Sequence, residues 1–113
     1  MTTTIFNFPS ARRSGRTTLA VGMWQEMRVH GFECAYVVPT QNLARDLVRR
    51  FGMPRDEAMS AHAFEHRMDG RRPRFVVLDG LDMLGRPLRE RLIDLAKARM
   101  QRLDGPTQLV LIP

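Results

Sequence analysis

The chain has little cysteine, little lysine and no long apolar run. Cys34 is its only cysteine, so neither an intrachain disulfide nor a thiolate metal cage is available to it. Set in an apolar stretch, that thiol reads as buried and inert, which suits a reducing cytoplasm. No apolar stretch approaches the ~20 residues that cross a bilayer, and the N-terminus lacks a charged segment followed by a long apolar one. These absences argue against a membrane or secreted protein and for a cytoplasmic one. Internal repeats, linkers and low-complexity tracts are also missing. A length of 113 residues fits one domain with a modest core.

Charge is abundant but of one kind. Lys97 is the only lysine, so nearly all of the +6 net charge comes from arginine. A genome rich in guanine and cytosine explains the choice of arginine over lysine, but not the imbalance of charge. Guanidinium forks engage phosphate bidentately, so a nucleic-acid partner is one expectation.

The apolar pattern alternates between two kinds of segment. Thr3 to Phe8 reads as a short strand closed by Pro9, and Ser10 to Gly15 as a loop. From Thr17 to about His30, Ala20, Met23, Trp24 and Met27 recur at helical spacing, and Gly31 is a stop. Ala35 to Val38 is a continuous apolar run closed by Pro39. Thr40 is placed to cap a helix carrying Leu43, Ala44, Leu47, Val48 and Phe51, with Gly52 as its end. A short strand near Ala58 to Ser60 and a helix near Ala61 to Met68 follow. Phe75 to Leu78 is the clearest buried strand. Pro87 fits the first turn of a helix with Leu88, Leu92, Leu95, Ala96, Arg99 and Leu103 along one side. Gln108 to Ile112 is a last strand. Continuous apolar strands alternating with amphipathic helices predict a three-layer α/β/α sandwich around a mainly parallel sheet of four to five strands.

In such sheets ligands sit at the carboxyl ends of the strands, where the loops after Phe8 and Leu78 both lie. Ser10-Ala11-Arg12-Arg13-Ser14-Gly15-Arg16-Thr17 has the spacing and setting of a phosphate loop, glycine then four residues then Gly-Lys-Ser/Thr between strand and helix. Gly15 supplies the permissive backbone, and Thr17 stands where a Mg²⁺ ligand stands. Ser10 replaces the first glycine and Arg16 the lysine. Phe75-Val76-Val77-Leu78-Asp79 matches the strand whose terminal aspartate holds the Mg²⁺ shell in P-loop enzymes.

The phosphate loop resembles the arginine-rich loop of phage large terminases. Val38-Pro39-Thr40-Gln41-Asn42-Leu43-Ala44 is similar to the Pro-Thr strand end of terminases and superfamily 2 helicases. Val77-Leu78-Asp79-Gly80-Leu81-Asp82-Met83-Leu84 resembles the DEAD-box segment of those helicases. Gln108-Leu109-Val110-Leu111-Ile112 resembles the strand leading to their Ser-Ala-Thr motif. The resemblance implies a phage or prophage nucleotide-binding module for ATP or another NTP with Mg²⁺, tied to DNA packaging, replication or recombination. Ser10, Ser14, Gly15, Arg16, Thr17 and Thr18 would then hold phosphates, and Thr17 with Asp79 the metal. Arg12 and Arg13 would clamp the γ-phosphate or contact DNA.

Gly80 stands where that family has its water-activating glutamate, and the Ser-Ala-Thr sensor and second motor domain are missing. The expectation is weak or no autonomous hydrolysis, with Asp82 a weak substitute base. If the site is otherwise intact, Arg16→Lys with Gly80→Glu is expected to raise turnover. The alternative is a non-catalytic relic of the fold, a regulator or inhibitor that binds a protein or nucleic acid. In that reading Arg16 is an ordinary surface arginine or pairs with Asp79.

Two further constellations stand out. His62 and His66 share a helix face but lack a clear third ligand, so exposed histidines are the better reading than a metal site. Arg71, Arg72 and Arg74 are expected to join Arg12, Arg13 and Arg16 in a stripe for a nucleic-acid backbone; a solvated charge run is the plainer reading. Trp24, Tyr36 and most phenylalanines fall on core faces, which leaves no stacking platform for bases. An exposed sheet edge would invite a homo-oligomer or docking on a larger protein.

Overall fold

The computed structural model describes residues 3–8, 16–68 and 70–113, with the side chain of Arg16 excepted. Five strands, β1 (Thr3–Asn7), β2 (Cys34–Val38), β3 (Ala58–Ser60), β4 (Phe75–Leu78) and β5 (Thr107–Leu111), alternate with four helices. The helices are α1 (Arg16–Val29), α2 (Gln41–Phe51), α3 (Ala61–His66) and α4 (Arg86–Gln101). All strand pairs are parallel, and the sheet order is β1-β5-β4-β2-β3.

The caps are those the sequence predicts. Thr40 Oγ1 accepts the Leu43 N–H at 3.2 Å, and Gly52 closes α2 in the left-handed region with φ 67°. Ser60 Oγ accepts the Ala63 N–H at 3.1 Å at the start of α3. Helix α4 ends at Gln101, two residues before Leu103. Leu103 is still buried, because its N–H bonds the Met100 carbonyl at 3.1 Å and turns the chain back onto the core.

Two cores follow from strand alternation. On one face Tyr36, Val77 and Val110 meet Ala20, Val21 and Trp24 of α1 and Ala44 and Leu47 of α2. On the other, Val37, Leu78 and Leu109 meet Phe64 of α3 and Leu92, Ala96 and Met100 of α4. The result is a five-stranded, all-parallel α/β/α sandwich. Among the described residues no helix is long and apolar enough to cross a membrane.

The strand order fixes where a crevice opens. The chain runs from β1 across to β2 and on to β3, then returns to β4 and β5. Neighbouring strands β2 and β4 therefore send their following helices, α2 and α4, to opposite faces. At such a switch point the loops beyond the carboxyl ends diverge and leave room for a ligand.

Candidate functional site

The crevice beyond β2 and β4 holds the candidate site. Strand β4 ends at Leu78, whose side chain belongs to the α4 face, so the next residue, Asp79, turns to the α1 face. There it meets Thr17, in the first turn of α1. Thr17 Oγ1 donates to Asp79 Oδ2 at 3.0 Å, joining residues 62 apart in sequence. A cavity of about 220 Å³ lies beside the pair, with Pro39, Asp46, Arg50 and Met83 among its lining residues.

A third group at this carboxylate was missed in the sequence. Tyr36 pairs in register with Val77, two residues before Asp79 on the same face. Its hydroxyl donates to the same Asp79 Oδ2 at 2.7 Å. Tyr36 has 0 % of its surface exposed. Burial first, and the Asp79 charge second, push its phenol above the ordinary tyrosine range. Asp79 Oδ2 thus accepts two hydroxyl protons from within the fold. Only the apolar run around Tyr36 was legible beforehand; nothing marked its ring as polar-tipped toward the crevice.

Tyr36→Phe removes one hydroxyl and leaves the Thr17 bond to Asp79 in place. The expected loss of stability is about 1–2 kcal/mol, typical of one hydrogen bond to a charged acceptor. Chemical denaturation of the two proteins measures it, and an unchanged midpoint would show that water replaces the contact.

The remaining predicted site residues are dispersed. Ser10, Arg12, Arg13, Ser14 and Gly15 lie outside the described residues, as does the side chain of Arg16. The backbone of Arg16 begins α1 immediately before Thr17. Thr18 is exposed and lines a shallow groove along α1 rather than the crevice. Asp82, the weak candidate base, is exposed and pairs with Arg89 at 3.4 Å.

The arginine stripe is corrected. Arg71, Arg72 and Arg74 precede β4 and so sit at the amino ends of the strands, where the Arg74 N–H bonds the Glu33 carbonyl at 2.8 Å. Arg16 follows β1 and sits at the carboxyl ends, beside the crevice. In a parallel sheet these are opposite edges, so the two groups form no continuous track. Arg71 and Arg74 also brace the fold, donating to the carbonyls of Asp56 and Asp104.

The expected rescue at Gly80 is corrected too. Gly80 has φ +80°, and a Cβ built on it would stand 2.9 Å from Cδ and Cγ of Pro39. The position that would need a glutamate accepts no side chain without rearrangement.

His62 and His66 are both exposed, with ring centroids 4.6 Å apart. Among the described residues no group of three or more His, Cys, Asp or Glu side chains gathers as a metal site. The Thr17 hydroxyl and Asp79 carboxylate are nevertheless a hard-oxygen pair of the kind Mg²⁺ takes. Such a site leaves most positions to water and phosphate oxygens. The donor chemistry therefore fits Mg²⁺ bound together with a phosphate ligand, and not a metal held by protein alone.

No protein-family model matches this chain, and neither does any curated protein or solved structure.

Proposed function

We propose that the chain is a nucleotide-binding module of P-loop type, taking ATP or another NTP with Mg²⁺ and hydrolysing it weakly or not at all. The observation that carries this reading is the Thr17–Asp79 pair. It joins the helix start after the first strand to the carboxyl end of β4, at the crevice where open parallel sheets bind ligands. A helix N-terminus favours an anion there, and the paired oxygens suit a Mg²⁺ that also carries phosphate. Gly80 and the exposed, arginine-bound Asp82 supply no group to activate water, which supports binding over turnover. By its resemblance to terminases and superfamily 2 helicases, the module serves DNA transactions in a phage or prophage, with nucleic-acid contact through its arginines.

One observation favours the second reading, a non-catalytic relic that binds a protein or nucleic acid. Asp79 Oδ2 is already engaged by Thr17 and Tyr36, so the crevice carboxylate has a structural use without a ligand.

Calorimetric titration separates the two. With Mg²⁺, ATP and a non-hydrolysable analogue are expected to bind with Kd below about 1 mM. Thr17→Ala and Asp79→Asn should each weaken that binding by about tenfold or more. Absence of heat at millimolar nucleotide, in a chain whose circular dichroism reports a folded protein, sinks the nucleotide reading and promotes the relic.

A further inference from the structure

The two edges of the sheet differ in kind. At the β3 edge the strand is three residues long and wholly buried. Arg45, Arg49 and Arg55 line the groove between it and α2. Shortness and like charge both discourage an added strand. At the other edge, β1 reads Thr-Thr-Ile-Phe-Asn, with no charge and no proline, and four of its five residues are exposed. Its inner side pairs with β5, and among the described residues no strand takes its outer side.

Strand β1 is also apolar on both faces. Phe6 pairs with Val110 and so lies on the α1 face; Ile5 pairs with Leu109 and lies on the α4 face. Neither is covered: Ile5 is 38 % exposed and Phe6 39 %.

Helix α1 continues the patch. On one flank, Trp24 Nε1 donates to Glu57 Oε1 at 2.7 Å and Arg28 pairs with Glu57 at 2.9 Å. Glu57 directly precedes β3, so that flank faces the β3 side of the sheet. The opposite flank, with Leu19, Met23 and Met27, therefore faces β1. It carries an apolar groove of about 470 Å³, and Leu19 is 60 % exposed.

We propose that two copies of this chain join through antiparallel pairing of their β1 strands, making one continuous ten-stranded sheet. A two-fold axis perpendicular to the sheet at its edge keeps both α1 helices on the same face. The apolar flank of each then looks across the paired Phe6 side chains at the flank of the other. One operation covers the outer backbone row of β1, Ile5, Phe6 and the α1 groove, as a self-complementary interface requires. Charge selects the same edge. Copies carrying +6 each repel one another, and an uncharged strand is where they can approach. Area points the same way: a stable interface needs roughly 800 Å² per partner, more than a five-residue strand pair offers alone, and the α1 flanks add to it.

Sedimentation velocity of the 113-residue chain tests this. The expected species is ~26 kDa, twice the 13.0 kDa of the chain. Phe6→Lys and Leu19→Lys should each raise the dimer dissociation constant by about tenfold or more, while Arg45→Ala at the β3 edge should leave it unchanged. A monomer at about 200 µM, a concentration at which even a 100 µM dimer would be well populated, overturns the proposal. So does an open-ended series of oligomers, or a dimer indifferent to both lysines. If Phe6→Lys does not fold, Leu19→Lys on the exposed helix flank decides alone.

Discussion

Placing a glutamate at Gly80 is expected to destabilise the fold by about 3 kcal/mol or more and to create no ATPase. Two costs combine at this position. A non-glycine residue held in the left-handed region loses roughly 1–2 kcal/mol, and Gly80 has φ +80°. The added Cβ also falls 2.9 Å from two ring carbons of Pro39, and relieving such overpacking typically costs about 1–3 kcal/mol. Neither partner moves easily. Pro39 is fixed in φ by its ring. The turn around Gly80 is held by the Asp79 N–H on the Val37 carbonyl at 2.8 Å and the Leu81 N–H on the Ile112 carbonyl at 3.0 Å.

Because the Cβ is the offending atom, Gly80→Ala should lose nearly as much as Gly80→Glu. Pro39→Ala in the Gly80→Ala background should recover the part due to contact and leave the part due to φ. Urea denaturation reads all three, and turnover is assayed on Gly80→Glu with Arg16→Lys. If Gly80→Glu stays within about 1 kcal/mol of the parent, a margin ordinary for surface changes, the turn is softer than its geometry says. The glutamate is then free to take the water-activating place.

What the sequence showed and what it hid divide along one line. A parallel sheet covered on both faces writes its strands as unbroken apolar runs, so Ala35 to Val38 and Phe75 to Leu78 were legible, as were the caps at Thr40 and Gly52. Anything that depends on which strands are neighbours was not. Tyr36 meets Asp79 only because β2 and β4 are adjacent in a register that pairs Tyr36 with Val77. Gly80 meets Pro39 for the same reason. The sequence named the Asp-Gly turn and the Val-Pro strand end separately, without the contact that forbids a side chain between them.

The edge strand is a related case. Thr3 to Phe8 read correctly as a strand, but only the order β1-β5-β4-β2-β3 makes it an edge. The stripe of arginines, by contrast, was avoidable. Arg74 precedes a strand and Arg16 follows one, and in an all-parallel sheet that alone puts them at opposite ends.

Stability is expected to fall steeply above about pH 9, the ordinary range of a thiol and below that of a phenol. The chain has one tyrosine, one cysteine and one lysine, and its arginines stay charged throughout this range. Alkaline titration therefore involves very few groups, and two of them, Cys34 and Tyr36, are buried. Burial, reinforced by the charge of Glu57, pushes the Cys34 thiol up to about 12. Burial, reinforced by Asp79, pushes the Tyr36 phenol up as well.

Folded-state values raised above the unfolded ones mean that the folded chain keeps protons the unfolded chain has released. The contribution is complete below the unfolded values and is lost as pH rises toward the folded ones. Each such proton removes about 1.4 kcal/mol per pH unit once the unfolded group is ionised. Cys34 should set the slope first and Tyr36 should add to it above pH ~10. Against a total stability of about 5–15 kcal/mol, that is enough to unfold the domain near the top of this range. Urea midpoints at successive pH values measure the slope, and tyrosinate absorbance should rise with unfolding rather than ahead of it. Cys34→Ala should flatten the lower part of the curve and Tyr36→Phe the upper part. A tyrosine that ionises freely near pH ~10 while the chain stays folded would mean that its hydroxyl is not held at Asp79 as described.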